Sequence, residues 1–130
     1  MKATGTNQFT IHFDGGNDWS GYGSWQVQFN GLSKLVSRER YGPNLTCNIA
    51  EYMALIKALT WLKTVQDKQR YSVIIWSDSM LVVRQVLGQW KCKKEHLRRL
   101  RDQVRGLLSG FQEYDLCWHG RANNVRRFGH

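Results

Sequence analysis

The spacing of the hydrophobic residues changes near position 46, and this change limits the possible folds more than any other feature of the chain. Before that point apolar and polar residues alternate, as with Phe9, Ile11 and Phe13. A two-residue period is typical of a strand with one covered face. Strands are predicted in three segments, Gln8–Asp14, Gly21–Phe29 and Leu32–Tyr41. Because Gly15–Asp18 and Asn30–Gly31 have the composition of turns, we predict that these strands form an antiparallel meander.

Beyond that point the apolar residues recur at helical spacing. A helix is predicted from Asn48 onward, with Thr46 or Asn48 itself as its N-cap. Tyr71–Trp76 is a short, nearly all-apolar run, as expected for a central strand covered on both faces. The remaining predicted elements are a helix that carries Leu81–Leu87 and is capped by Ser77 or Ser79, an amphipathic helix over Lys94–Phe111, a strand over Glu113–His119 and the start of a terminal helix.

This order of elements predicts an α/β fold, in which helices pack on a mixed sheet. With 130 residues, 42% of them hydrophobic, and one proline, the chain is expected to form a single domain over residues 1–130. No apolar run is long enough to span a bilayer, and Met1–Thr6 lacks the apolar segment of a signal peptide. We therefore expect a soluble, cytoplasmic, monomeric protein without a membrane partner.

Positive charge is concentrated in one stretch of the chain. The net charge is +9, and residues 84–105 alone hold eight Lys and Arg against two acids. Three further arginines, Arg121, Arg126 and Arg127, follow the last acidic residue. A basic patch of this size predicts a polyanionic partner, with nucleic acid ahead of an anionic membrane surface.

Three acidic residues stand out by their positions beside buried strands and on an apolar helix stripe. Asp14 ends the first strand before a glycine pair, and Asp78 comes just after the Tyr71–Trp76 strand. Glu51, in the first turn of its helix, shares an apolar stripe with Leu55 and Leu62. Taken one at a time, the position of Glu51 is explained by the helix dipole, and that of Asp78 by helix capping. Capping does not explain a carboxylate on an apolar stripe.

Two strand ends and one inward helix face are expected to bring these three carboxylates together. Their mutual repulsion then requires a cation, and hard oxygen ligands suit Mg²⁺ or Mn²⁺. A carboxylate metal site beside a basic surface is suited to phosphodiester hydrolysis, because the surface holds phosphates while metal ions activate water.

Three short motifs contain these acids. They are Phe13-Asp14-Gly15-Gly16, Thr46-Cys47-Asn48-Ile49-Ala50-Glu51-Tyr52 and Ser77-Asp78-Ser79. In this order and spacing they resemble the motifs of type 1 ribonuclease H, most closely its plant- and archaeal-like branch. The similarity continues through Leu81–Lys91 and the basic helix that follows.

This resemblance implies a ribonuclease H-like mixed five-stranded sheet, in which parallel strands join the antiparallel meander. It also implies metal-dependent endonucleolytic cleavage of the RNA strand of an RNA–DNA hybrid, leaving 5′-phosphate and 3′-hydroxyl ends. Asp14, Glu51 and Asp78 match three of the four metal-binding acids of the family.

The fourth acid is missing. The family usually ends with Arg-x-x-Asn-x-x-Ala-Asp, of which Arg121–Asn124 matches the first half, and Phe128 stands in the place of the Asp. One explanation is that Asn124, or less favourably Asn123, supplies a neutral oxygen to a second metal ion. Others are that the natural C-terminus is lacking or that the second metal is held weakly. A neutral ligand predicts weak second-metal binding and a preference for Mn²⁺. As an alternative, Asn124 only caps the last helix.

Contacts with nucleic acid are predicted in two regions. The backbone of Gly15, Gly16 and Asn17 is expected to approach the sugars of the hybrid, where a 2′-hydroxyl distinguishes RNA from DNA. Asn48 keeps a groove contact of the family, whereas Cys47 replaces an asparagine. Phosphate contacts are predicted for Lys91, Lys93, Lys94, Arg98 and Arg101, with a solvated helix face as the alternative. His119 and Arg121 lie near the position at which the family keeps a His or Arg that assists product release.

The favoured interpretation is an active ribonuclease H that acts on RNA–DNA hybrids, with RNA–RNA duplexes as an alternative substrate. The missing acid leaves a second interpretation, a non-catalytic or weakly active hybrid- or duplex-binding module of the same fold. A generic nucleic-acid-binding protein explains the charge and leaves Glu51 unexplained.

Overall fold

The computed structural model describes residues 8–65 and 71–129, and the elements within them follow the predicted order. The strands are β1 (Gln8–Asn17), β2 (Gly21–Phe29), β3 (Leu32–Gly42), β4 (Ser72–Ser77) and β5 (Glu113–Trp118). The helices are α1 (Cys47–Val65), α2 (Met80–Val86), α3 (Glu95–Leu108) and α4 (Arg121–Phe128). Among the described helices, none has both the length and the apolar character that crossing a membrane requires.

The strands form one mixed sheet in the order β3-β2-β1-β4-β5. The pairs β1–β2 and β2–β3 are antiparallel, whereas β1–β4 and β4–β5 are parallel. The prediction of an antiparallel meander joined by parallel strands is confirmed. Because β1 and β4 are parallel neighbours, the residues that follow each of them lie at the same edge of the sheet.

The alternation in β1 decides which face of the sheet carries the main core. Phe9, Ile11 and Phe13 are at most 3% exposed and join one hydrophobic cluster with Leu55 and Leu59 of α1. Helices α2 and α3 contribute to the same cluster.

The opposite face of the sheet carries α4. His12, which alternates out of the phenylalanine row, pairs in register with Gln26 of β2 and Trp76 of β4. Arg127 of α4 reaches this row and donates a hydrogen bond to Gln26 Oε1 at 2.6 Å. The sheet therefore lies between α4 and the other helices.

The predicted turn over Gly15–Asp18 is wrong in its extent. Strand β1 continues to Asn17, with Gly15 paired to Gly23 and Asn17 paired to Gly21, and the bend lies at residues 18–20. Glycine is common in turns. Here, however, the lack of a side chain at Gly15 allows the strand and a helix to approach closely. The other boundaries differ less, the largest change being α3, which is shorter at both ends than the predicted Lys94–Phe111.

Candidate active site

Three elements bring the three acids to one cavity. Asp14 lies in β1, Asp78 follows the end of the neighbouring parallel strand β4, and Glu51 comes from α1. Their side chains line a cavity of about 330 Å³. The other lining residues are Gly15, Gly16, Asn17, Tyr22, Cys47 and Arg121. The structure therefore places the three acids, the glycine pair, Asn17 and Arg121 around one cavity.

Two hydroxyl caps fix the helices that carry the site. Thr46 Oγ1 accepts a hydrogen bond from the Ile49 N–H at 3.2 Å and caps α1, so the alternative cap Asn48 lies inside the helix. Ser79 Oγ accepts from the Val82 N–H at 3.2 Å and caps α2. Glu51 is consequently the fifth residue of α1, beyond its first turn, and the helix dipole does not explain its position.

Gly15 sets the distance between β1 and α1. A Cβ atom at this position would lie 2.5 Å from the carbonyl carbon of Ala50 and 2.7 Å from the Cα of Glu51. The absence of a side chain at Gly15 thus lets the backbone of Glu51 rest directly on β1. Asn17 adds a second link, because its side-chain amide donates to the backbone oxygen of Leu45 just before α1.

The electrostatics of the cavity favour neutralisation of its acids. Burial, together with the smaller effects of the Asp78 and Asp14 charges, raises the pKa of Glu51 to about 7, against a hydrogen bond from Ser79 that lowers it. Burial and the adjacent Asp14 also raise the pKa of Asp78, which His119 and Asn124 oppose. Glu51 Oε2 is buried without a hydrogen-bond partner.

This donor set fits a hard divalent cation. The cavity offers three carboxylates, and one carboxylate oxygen of Glu51 has no competing donor. Oxygen donors of this kind bind Mg²⁺ and Mn²⁺. Within residues 8–65 and 71–129, no three His, Cys, Asp or Glu side chains are arranged closely enough to form a complete metal site. The structure therefore shows the candidate ligands in one cavity without closing them around a common centre.

The raised pKa of Glu51 predicts a pH-dependent stability of the metal-free protein. The folded protein holds the Glu51 proton up to about pH 7, whereas the unfolded chain loses it near the ordinary value of 4.5. The contribution of this group to folding is therefore complete below pH 4.5 and is lost as the pH rises to about 7. We expect Glu51→Gln to remove this loss and to raise the free energy of unfolding at pH 8 by on the order of 3 kcal/mol.

Urea unfolding at pH 5 and pH 8 in the presence of a chelator measures this effect. Glu95→Gln is the matched control, because the Glu95 side chain is 68% exposed on α3. An equal gain at both pH values, or the same gain in the control, contradicts the assignment.

Helix α4 presents two buried residues to this region, Asn124 and Phe128. The Asn124 amide donates to the backbone oxygen of Phe13 at 3.1 Å, and its Oδ1 is buried without a hydrogen-bond partner. The capping alternative for Asn124 is wrong, because α4 begins at Arg121 with Gly120 as N-cap, which places Asn124 inside the helix. Asn123 is exposed and lines a different cavity, away from the acids.

Phe128 fills the position of the missing acid with an apolar ring. It is 7% exposed and lies one helical turn beyond Asn124 on the buried face of α4. The described part of α4 therefore contributes no carboxylate to the cavity.

A second groove collects most of the predicted phosphate contacts. Asn48, Lys91, Lys93 and Lys94 line it together with Leu81, Gln85 and Leu97, and its volume is about 230 Å³. All three lysines are exposed, and so is Arg98, whose guanidinium donates to the backbone oxygen of Lys93. The structure thus places Asn48 next to the lysines, with Cys47 and Glu51 of the same helix in the carboxylate cavity.

The sequence analysis does not predict a role in the site for two residues. Tyr22 of β2 lines the carboxylate cavity, and Ser79 hydrogen-bonds Glu51 while it caps α2. The signal for Ser79 was present in its capping position beside Asp78. Tyr22 gives no such signal, because its place in the cavity depends on the pairing of Tyr22 with Gly16 across β1 and β2.

Comparison with known families and proteins gives a consistent result. A family model described as reverse transcriptase-like matches residues 13–126. Ribonuclease HI of Halobacterium salinarum is 38% identical over 81 residues, which are 62% of this chain and 39% of that protein. A bifunctional protein of Mycobacterium tuberculosis is 30% identical over 119 residues, 88% of this chain and 32% of that protein. This chain thus spans well under half the length of the curated relatives that it matches.

Solved structures agree over nearly the whole chain. The crystal structure of RNase H1 from Halobacterium salinarum gives a TM-score of 0.75 at 30% identity and covers 92% of this chain and 90% of its own. An RNase H1 isolated from compost, solved with an RNA/DNA hybrid, gives 0.74 at 25% identity, covering 91% and 89%. The predicted ribonuclease H fold is confirmed.

Proposed function

This chain belongs to the reverse transcriptase-like family of proteins with a ribonuclease H fold, and on that premise we propose that it is a metal-dependent endonuclease. Its proposed reaction is cleavage of the RNA strand of an RNA–DNA hybrid, with 5′-phosphate and 3′-hydroxyl products. The observation that carries the proposal is the cavity in which Asp14, Glu51 and Asp78 meet. The lysine groove beside it, which shares helix α1 with the cavity, supports a nucleic-acid substrate.

In this mechanism the chain supplies ligands and position. Asp14, Glu51 and Asp78 are the proposed ligands for Mg²⁺ or Mn²⁺, and a bound ion of this kind activates water and stabilises the leaving oxygen. Asn124 hydrogen-bonds Asp78, and its buried Oδ1, which has no hydrogen-bond partner, is the neutral oxygen that α4 is proposed to offer in place of an acid. With one negative charge fewer, we expect weak binding of a second ion and higher activity in Mn²⁺ than in Mg²⁺.

Substrate recognition is proposed to use both the cavity and the groove. The backbone of Gly15 and Gly16 lines the cavity and is the proposed contact for the sugar of the scissile strand, while Asn17 is already engaged with Leu45. Asn48, Lys91, Lys93 and Lys94 hold the hybrid through its groove and phosphates, with Arg98 at the edge of the lysine cluster. Arg121 lines the cavity and stands where it can contact the cleaved phosphate.

The decisive experiment is cleavage of an end-labelled RNA–DNA hybrid by the purified chain in Mg²⁺, in Mn²⁺ and in chelator, with RNA–RNA and DNA–DNA duplexes alongside. RNA-strand cleavage that requires metal and is fastest on the hybrid supports the proposal. Phe128 in place of the fourth acid favours one competing function, a module that binds hybrids without cutting them. Salt-sensitive hybrid binding with no cleavage in either metal would establish that module instead.

The lysine groove predicts a defined salt dependence. Lys93→Gln with Lys94→Gln removes two exposed charges, so we expect roughly tenfold weaker hybrid binding at low salt and a slope of log K against log[salt] that is shallower by about 2. Fluorescence anisotropy with a labelled hybrid in chelator measures both quantities.

The double variant Lys63→Gln with Lys57→Gln is the charge-matched control for the lysine groove, because it also removes two lysine charges. Lys63 lies in the last turn of α1, about 22 Å along the helix from Asn48. If this control reduces the salt slope as much as the groove variant, phosphate contact is not localised in the groove.

A further inference from the structure

We propose that the cavity between α4 and the sheet face opposite α1 binds a phosphate group. This back-face cavity has a volume of about 670 Å³, within the range of small-molecule sites. Its floor is the strand row of His12, Gln26 and Trp76, and its wall is His119 with residues 123, 126 and 127. Within the described part of the chain no residue lines both this cavity and the carboxylate cavity, so the inference does not depend on the proposed nuclease activity.

The charge of the back-face cavity is positive and uncompensated. Among the described residues no acid lines it, and the hydrogen bonds of the two guanidiniums there go to neutral groups. Arg127 donates to Gln26 Oε1 at 2.6 Å, and Arg126 donates to Asn123 Oδ1 at 2.9 Å. Within the part of the chain that the structure describes, neither arginine has a carboxylate partner, whereas Arg99 is paired with Glu95 at 2.9 Å. Two guanidiniums on the wall of an open cavity suit the oxygens of a phosphate.

The histidines of the cavity add unsatisfied polar atoms. His119 Nδ1 lies 3.0 Å from the carbonyl oxygen of Gly120, which can only accept, so this nitrogen carries a hydrogen. His119 Nε2 and His12 Nδ1 are both buried without a hydrogen-bond partner. Ring nitrogens without partners beside two guanidiniums fit a ligand with several polar oxygens, such as hydrogenphosphate or a phosphorylated sugar. A metal cation does not fit, because the guanidiniums repel it.

An aromatic surface lies beside these groups. The Trp76 and His119 rings have centroids 5.9 Å apart at an interplanar angle of 30°. A flat ring on the floor of the cavity can stack on a base. The phosphate therefore comes from one of two sources, a free phosphate or mononucleotide, or the terminal phosphate of a nucleic-acid strand.

Histidine NMR on the whole chain tests this site at constant pH and ionic strength. The probes are inorganic phosphate, a nucleoside 5′-monophosphate, and a short DNA strand with and without a 5′-phosphate. We expect saturable shifts of the His12 and His119 ring signals with phosphate, while the exposed His96 on α3 stays unchanged. Arg126→Gln and Arg127→Gln are each expected to weaken binding by about tenfold, since each removes a charge-assisted hydrogen bond.

Arg99→Gln, an equal change of charge on α3, is the matched control and leaves the affinity unchanged. Arg126 bonds within its own helix, so Arg126→Gln does not loosen α4 from the sheet, and its result stands even if Arg127→Gln fails to fold. Shifts that grow linearly without saturation, or equal weakening in the Arg99 control, overturn the proposal.

Tighter binding of the 5′-phosphorylated strand than of its unphosphorylated form assigns the site to a strand end. Equal affinity of the two strands, with saturable binding of inorganic phosphate or the mononucleotide, assigns it to a free phosphate compound. Both results uphold the phosphate site.

Discussion

Asp14→Asn is expected to reduce RNA-strand cleavage by more than about 100-fold and to leave the fold intact. Loss of a group that only orients a metal ligand costs 10- to 100-fold in metal affinity or activity, and Asp14 is a proposed ligand itself. Asparagine has the same shape as aspartate, so the buried position in β1 is still filled. Because the adjacent Asp14 charge raises the pKa of Asp78, the variant also relieves repulsion and is expected to be at least as stable without metal.

Single-turnover cleavage of a labelled hybrid in Mg²⁺ and in Mn²⁺, together with urea unfolding, separates activity from stability. Asp102→Asn is the matched control, because Asp102 lies on α3 with a side chain 61% exposed and paired with Arg101. Retention of more than a tenth of the activity in Asp14→Asn contradicts the proposed role. Equal losses in both variants assign the effect to the net charge of the protein and not to the cavity.

Much of the fold follows from burial patterns that the sequence displays directly. Phe9, Ile11 and Phe13 predict β1 because only one face of the strand is covered by the core, and the structure buries all three. The same reasoning locates Glu51, since the stripe it shares with Leu55 and Leu62 is fully buried. A carboxylate on such a stripe is carried toward the sheet.

The features that the sequence does not predict have a common physical cause. They depend on how elements that are distant in the sequence pack together. The composition of Gly15–Asp18 is that of a turn, and only the arrival of α1 shows that Gly15 is needed inside a strand. Likewise, His12 and Arg126 line the same cavity because α4 packs on the back of the sheet. The spacing of the apolar residues in α4 does not indicate which face of the sheet this helix covers.

Gly15 shows how a residue without a side chain controls the geometry of the acids. Gly31, Gly42, Gly88 and Gly129 have positive φ, whereas Gly15 does not, so its requirement for glycine is steric and not conformational. The atoms that an added Cβ would meet belong to the backbone of Ala50 and Glu51 in α1. Backbone atoms inside a helix do not move aside as the end of a flexible side chain does, so the whole helix must shift.

Gly15→Ala is therefore expected to lower the free energy of unfolding by about 1–3 kcal/mol, the usual cost of overpacking. Since α1 carries Glu51, the same shift moves this carboxylate away from Asp14 and Asp78. A displacement of about 1 Å in a catalytic group costs on the order of 100-fold in rate, and we expect a loss of that size in hybrid cleavage.

Gly106→Ala is the control for the glycine substitution itself. Gly106 lies within α3, and an added Cβ there meets nothing within 4 Å. Alanine at that position is expected to stabilise the protein by about 0.4–1 kcal/mol through a less flexible unfolded chain, with cleavage unchanged.

Urea unfolding and single-turnover cleavage of both variants distinguish the two effects. If Gly15→Ala keeps its stability but loses cleavage, the close approach positions Glu51 without supporting the fold. If both are kept, α1 does not depend on Gly15, and the steric origin of the site geometry is wrong.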